Sequence, residues 1–287
     1  MAVTWTAIVL SQGDRPRELA AAVASLTAQR DVALEIVVVG NGWQPQGLPD
    51  AVVTVHLSAN VGAPEGRNRG LEHAHGDLLF FLDDDARLAS DDVLAVLEQR
   101  LAADATLGIV QTRIQSPEGE TARRWVPRLR DKNPLRASAV FSFLEGSVAV
   151  RREVLDAAGG WAGEFVYAHE GIDLAWRAWD AGFAVHYQPD LVAIHPLVTR
   201  DRHTAAWQQD GRNRVWLARR NLPCLIAPLY VVTWGLLVVA ANMRRPRAIS
   251  SWVKGAAMGM RVAPRDRRPL RWRTIATMTR RGRPPIV

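Results

Sequence analysis

The feature that most constrains this chain is an apolar strand that runs without a break into three acids: Asp77–Leu82 (DLLFFL), then Asp83-Asp84-Asp85. Adjacent carboxylates repel, so folding gathers them only where something compensates their charge. The flanking pattern alternates strand and helix. Val3–Leu10, Leu34–Val39, Val52–Leu57 and Leu107–Thr112 are short apolar or β-branched runs of strand type. Arg17–Ala28 carries apolar residues at helical spacing, and Glu65–His75 reads as a helix ended by Gly76. Ser90 is placed to cap a helix over Asp91–Leu101. This rhythm predicts an α/β fold with a mostly parallel central sheet and helices on both faces. Ligands of such sheets bind at the carboxyl ends of the strands, which is where the acidic triplet falls.

Further on, the pattern loosens. Residues 113–145 hold Pro117, Pro127, Pro134 and many charges, and suit an active-site loop. Ser147–Arg151 reads as a strand, Ile172–Asp180 as a helix, Val185–His195 as one or two strands, and Thr204–Arg219 as a helix. The lone cysteine, Cys224, excludes a disulfide framework and a cysteine zinc site. The first residues lack a basic region before their apolar stretch, so they read as a strand rather than a signal peptide, with the cytosol as the expected compartment.

Leu222–Met243 is a run of 22 residues without a charge, and residues 244–287 hold twelve arginines, one lysine and a single acid, Asp266. The remainder carries 23 basic and 28 acidic side chains. The chain thus divides into a domain at 1–221, an apolar segment at 222–243 and a basic tail at 244–287. Pro223 and Pro228 shorten the apolar segment, and both of its flanks are basic, which opposes a single crossing with the tail outside. The expectation is a segment lying in the inner leaflet, its arginines on anionic headgroups, at the cytoplasmic face of the membrane. A soluble-core helix and a solvated tail are the alternatives.

Three clusters carry chemistry. On extended backbone Asp83 and Asp85 point one way and Asp84 the other, so the pair suits Mg²⁺ or Mn²⁺ with oxygen ligands; the alternative is a solvated turn. Asn60, Gly62, Arg67 and Asn68 combine a glycine-containing loop with a guanidinium at a helix start, which suits a phosphate or sugar hydroxyls. Glu170 and Asp173 lie at a helix beginning, where the dipole tunes a carboxylate; capping acids would look the same. His195 ends a strand and suits a metal site or a structural role.

The ordered set resembles a family: the inverting, nucleotide-sugar-dependent glycosyltransferases of the GT-A fold, including bacterial rhamnosyltransferase-like and cell-envelope enzymes. The matching stretches are Ala7–Pro16 (AIVLSQGDRP), Glu35–Gly42 (EIVVVGNG), Asn60–Gly70 (NVGAPEGRNRG), Gly76–Asp85 (GDLLFFLDDD), Glu145–Arg152 (EGSVAVRR), Gly159–Glu164 (GGWAGE), His169–Gly182 and Arg212–Pro223. The resemblance covers roughly residues 3–223. It implies a GT-A domain in which Asp83 and Asp85 form the D-x-D pair that holds Mg²⁺ or Mn²⁺ on a sugar-nucleotide diphosphate, with His195 as a further ligand. It implies that Ser11, Arg15, Asn41, Asn60, Gly62, Arg67, Asn68, Asp83, Asp84 and Glu145 line the substrate site. The acid pair that supplies the base falls on Glu170-Gly171, so the base is Glu170 or Asp173. Two positions depart from the family: Gly40 stands where an acid usually contacts the nucleobase, and Gly171 replaces the second acid.

The implied activity is transfer of a sugar, with inversion, to the hydroxyl of a cell-envelope glycan or lipid-linked acceptor, with no nucleic acid as partner. A catalytically impaired sugar-nucleotide-binding protein and a sugar nucleotidyltransferase are the rival readings; the latter would need a glycine-rich first loop, where Gly13 stands alone. The loop Ser11–Pro16 has no G-x-G-x-x-G, which excludes a dinucleotide-dependent oxidoreductase.

Overall fold

Period-two burial along the strands builds one core on each face of the sheet. The computed structural model describes residues 3–129, 133–197 and 206–286. Strand β1 (Thr4–Ser11) sends Trp5, Ala7 and Val9 to one side, where helix α1 (Pro16–Thr27) packs Leu19, Val23 and Leu26 and helix α3 (Val93–Ala103) packs Leu94, Leu97 and Leu101. Ile8 points to the other side. There it meets Val37 and Val39 of β2 (Ala33–Asn41) and Phe81 of β4 (Leu78–Asp83), covered by α4 (Arg152–Ala158) and α5 (Glu170–Ala181). Each such side chain contributes about 1.5–3 kcal/mol on burial.

The sheet order is β3-β2-β1-β4-β8-β6-β9-β5, with β3 at Val53–Leu57, β5 at Arg87–Leu88, β6 at Leu107–Gln115, β8 at Ser147–Arg151 and β9 at Ala184–Ile194. Strands β3, β2, β1 and β4 are parallel, as are β6 and β9, while β8 runs antiparallel to both β4 and β6. The sheet is therefore mixed, where the sequence pattern suggests a mostly parallel one. The chain leaves β6 and returns to β8 on the same edge, without a crossover helix, so β8 must run backwards. That return carries a 3₁₀ turn at Arg123–Trp125 and a two-residue strand, β7 (Ser138–Ala139), paired to β9.

This topology collects residues that lie far apart in sequence. The carboxyl ends of β1, β2, β4 and β9 end at Ser11, Asn41, Asp83 and Ile194, and the antiparallel β8 starts beside them after Glu145-Gly146. Asp83 N–H donates to the Gly146 carbonyl at 3.1 Å, which fixes that junction. Helix α2 (Ala63–Leu71) ends earlier than the sequence pattern, at Leu71 rather than His75.

Residues 206–280 are mostly helix packed on the body, where the alternative was a solvated tail. Helix α6 spans Ala206–Asn221; the predicted start at Thr204 lies outside the described residues. Helix α7 (Ala227–Ala241) accommodates Pro228 in its first turn, where no helical N–H is lost. Helix α8 (Pro246–Arg261) lies against α6 so closely that a β-carbon at Gly255 would overlap the Gln208 carbonyl. Helix α9 (Trp272–Arg280) buries Ile275 and Met278 and is tied to α5 by Thr274 Oγ1, which donates to Asp180 at 2.6 Å. Trp176, Trp216, Tyr230, Leu270 and Met278 share one core, so the segments after residue 221 pack as part of the body. Among the described residues no helix is long and apolar enough to cross a membrane.

Candidate active site

Strand ends and helix starts deliver two charged groups, joined by one arginine. At the first, Asp83, Asp85 and His195 each offer a ligand atom, all within 4.8 Å of one another. His195 Nε2 lies 3.1 Å from Asp85 Oδ1 and 3.8 Å from Asp83 Oδ2. The Trp125 ring packs edge-on against His195, with centroids 5.8 Å apart. Two carboxylates and an imidazole are a donor set that fits Mg²⁺ or Mn²⁺, and Asp83 keeps an accessible side chain for an incoming ligand.

Arg15 balances the acidic group, pairing with Asp85 and lying 3.4 Å from Asp84 Oδ1. Burial pushes the Asp84 carboxyl up to about 6, against a Ser11 hydrogen bond and the Arg15 charge. Asp85 moves the other way: burial would raise it, but the His195 hydrogen bond and charge, with Arg15, hold it below the usual range. His195 is raised correspondingly, because Asp85 and then Asp83 outweigh the effect of burial. Its protonated form therefore stabilises the metal-free fold at low pH, and that contribution is lost as pH rises through the raised value. A metal takes the neutral ring, so protons and metal compete. Mn²⁺ affinity is expected to rise as pH climbs through the raised His195 value, with release of a proton. Calorimetry in buffers of different ionisation enthalpy reads this, and a pH-independent affinity contradicts it.

The second group is Glu170, first residue of α5, which is 3% exposed. Arg67 stands between the two groups, with Nη2 3.5 Å from Asp83 Oδ1 and Nη1 3.6 Å from Glu170 Oε1. Its guanidinium carbon is held 5.1 Å from the centroid of the buried Trp161 ring. Burial raises the Glu170 carboxyl while Arg67 pulls it back. Glu170 Oε2 is buried with no hydrogen-bond partner among the described residues, an acceptor left open. Glu145 completes the cluster. A β-carbon at Gly171 would overlap Glu145 Oε1, so Glu145 fills the space that a side chain at 171 would need. Burial first, and Glu170 second, push Glu145 above the carboxylate range.

The approach to Glu170 is strained. Val166, Ala168 and His169 have φ of 64°, 70° and 71°, a region that costs side-chain-bearing residues energy. Asn213 on α6 holds this segment by donating Nδ2 to the carbonyls of Phe165, Tyr167 and Ala168 at 2.9, 2.6 and 3.0 Å. The sequence pattern missed this loop and its anchor.

The structure does not bring every expected residue to the cleft. Asp173 is fully buried, paired with Arg177, 3.1 Å from Arg220 Nε and 2.6 Å from Asn221 Nδ2. It has no access to an acceptor, so the structure corrects its assignment as a base. Asn68 spends both ends of its amide on the Trp161 backbone, at 3.0 Å each. Asn41 is buried and organises the next loop, donating to Asn60 at 3.0 Å and accepting from Val61 N–H at 2.9 Å. Asn60 in turn donates to Gln12 at 2.8 Å. Gly62 packs against Val166, where Ala63 N–H donates to the Val166 carbonyl at 2.9 Å. Asn41, Asn60, Gly62 and Asn68 thus shape the walls, and Arg67 alone of the second cluster reaches the acids.

With this geometry fixed, comparison with known proteins decides the family. The sequence profile of glycosyl transferase family 2 matches residues 13–163, half of the chain. The chain belongs to glycosyl transferase family 2. A curated relative, the pre-mycofactocin glycosyltransferase of Mycobacterium tuberculosis, is 26% identical over 252 residues, 80% of this chain and 52% of the relative. The chain thus spans about half the length of the curated relatives it matches.

Solved structures share the GT-A fold. GalNAc-T7 with UDP, GalNAc and Mn²⁺ superposes with a TM-score of 0.66 at 14% identity, covering 99% of this chain and 58% of that one. The mannosyltransferase PcManGT of Pyrobaculum calidifontis, in complex with GDP-Man and Mn²⁺, gives 0.58 at 19% identity, covering 98% and 80%. S. aureus TarS 1-349 with UDP-GlcNAc gives 0.58 at 13% identity, covering 88% and 81%.

Proposed function

We propose that this family 2 protein is an inverting glycosyltransferase that moves a sugar from a nucleoside-diphosphate sugar to an acceptor hydroxyl, with Mg²⁺ or Mn²⁺. The observation that supports the reading is Arg67, buried between the Asp83 carboxylate and the Glu170 carboxylate, so that the proposed donor-binding group and the proposed base share one cluster. Solved relatives of the same fold hold GDP-Man or UDP with Mn²⁺, which supports a nucleotide sugar as donor.

Glu170 is the base. Its carboxylate, whose proton affinity burial raises, accepts the acceptor's proton as the acceptor oxygen attacks the anomeric carbon. The C–O bond to the diphosphate breaks on the opposite face, so the configuration inverts and a nucleoside diphosphate departs. Arg67 fixes the Glu170 carboxylate and stabilises charge between the two groups. Asp83, Asp85 and His195 would hold the cation, which when bound neutralises the diphosphate. Ser11 and Arg15 border the donor from the end of β1.

A second reading, a donor-binding protein with impaired transfer, draws on Gly171. The test incubates the full chain with UDP-, GDP- and dTDP-sugars and Mn²⁺ and follows nucleoside diphosphate release. Metal-dependent release from one donor class is the expected result. Tight donor binding without cleavage favours the second reading, and neither binding nor cleavage overturns both.

A further inference from the structure

We propose that helix α7 docks in the plane of an anionic lipid surface through its outer face. Leu229, Val232, Leu236 and Val239 recur at spacings of three and four residues and are 57%, 60%, 66% and 41% exposed. Leu225 before the helix and Met243 after it are 78% and 74% exposed. The other face, Tyr230, Val231, Trp234 and Val238, packs inward. A surface helix of a soluble domain turns charged or polar residues outward, and α7 turns leucine and valine outward over its whole length.

Its length and surroundings say what covers it. At 15 residues the helix is roughly 22 Å long, short of the ~30 Å of a bilayer's hydrocarbon core, and it lies flat against the body. Arg244 and Arg247 are exposed beyond its C-terminal end. At its N-terminal end Arg267 reaches back to the Leu222 carbonyl at 3.3 Å. From residue 211 to residue 265 the sequence holds ten basic side chains and no acid. An apolar stripe with cations at both ends complements headgroup phosphates above acyl chains. A second copy of this chain would instead oppose arginine to arginine. The docking also has a place in the architecture. Tyr230 of α7 packs edge-on against Trp176 of α5, centroids 5.7 Å apart, so the lipid face stands one helix away from the helix that begins at Glu170.

The test floats the purified full chain with vesicles of phosphatidylcholine, with and without phosphatidylglycerol, and needs no transferase activity. The wild type is expected to float with anionic vesicles and to be released by salt or by omitting phosphatidylglycerol. L229E/L236E is expected to weaken binding at least about tenfold. R244A/R247A is expected to weaken it about thirtyfold. Circular dichroism shows that the variants fold; if they do not, the wild-type lipid dependence alone decides. Equal binding to neutral vesicles, no binding, or binding unaffected by the charged substitutions overturns the proposal. So does a wild-type dimer in solution that L229E/L236E dissociates, because the face would then belong to a second copy.

Discussion

Replacing Glu170 with glutamine is expected to lower kcat by roughly two to four orders of magnitude while donor KM changes little. Glutamine keeps the size of the side chain and its place beside Arg67 but cannot accept the acceptor's proton. The pH profile gives a second reading. Burial raises the Glu170 carboxyl, so wild-type kcat should climb as pH rises through that raised value and Glu170 ionises. In Glu170→Gln that acidic limb should vanish. Glu145 is the natural competitor, because its carboxylate fills the gap at Gly171 and titrates against Glu170. If Glu145→Gln shows the large kcat loss and Glu170→Gln does not, the base is Glu145. Steady-state kinetics of both variants over pH distinguishes them.

What was legible in the sequence follows from how local each signal is. Asp83 and Asp85 at a strand end, and Glu170 at a helix start, are positions that a short stretch of chain determines. The grouping of Asp83 and Asp85 with His195 is set by strand order, and the resemblance rather than periodicity pointed to it; neither pointed to the pairing of Asp83 with Arg67. Asp173 shows the limit. Three residues after Glu170 it shares that helix's first turn, yet its partners Arg220 and Asn221 come from α6, and only tertiary packing reveals that it is buried. Removing it would leave the buried Arg177 without its carboxylate and Arg220 with Glu164 alone, a loss of about 3–5 kcal/mol that concerns folding rather than chemistry.

No glycine marks Val166, Ala168 or His169, so nothing local announces their left-handed backbone; Asn213, more than forty residues away, stabilises it. The C-terminal arginines read as a charge run. Trp252, Gly255 and Gly259 among them let α8 press onto α6, Arg267 donates to the Leu222 carbonyl at 3.3 Å, and Arg271 Nε lies 3.2 Å from Asp180 Oδ2. Several of these basic side chains serve the fold before any partner.

The second large effect concerns the acidic end of the cleft. Asp85 is buried against His195 and Arg15, and alanine there removes a proposed ligand and the carboxylate nearest to both side chains. Donor binding should then lose its metal dependence, with at least about a hundredfold loss of affinity. The direct measurement is calorimetric titration of UDP and GDP into the full chain, wild type and Asp85→Ala, with and without Mn²⁺. Tight wild-type binding of one nucleotide only when Mn²⁺ is present, abolished in Asp85→Ala, is the predicted result. Binding of equal strength without the metal, or unchanged in Asp85→Ala, would contradict it.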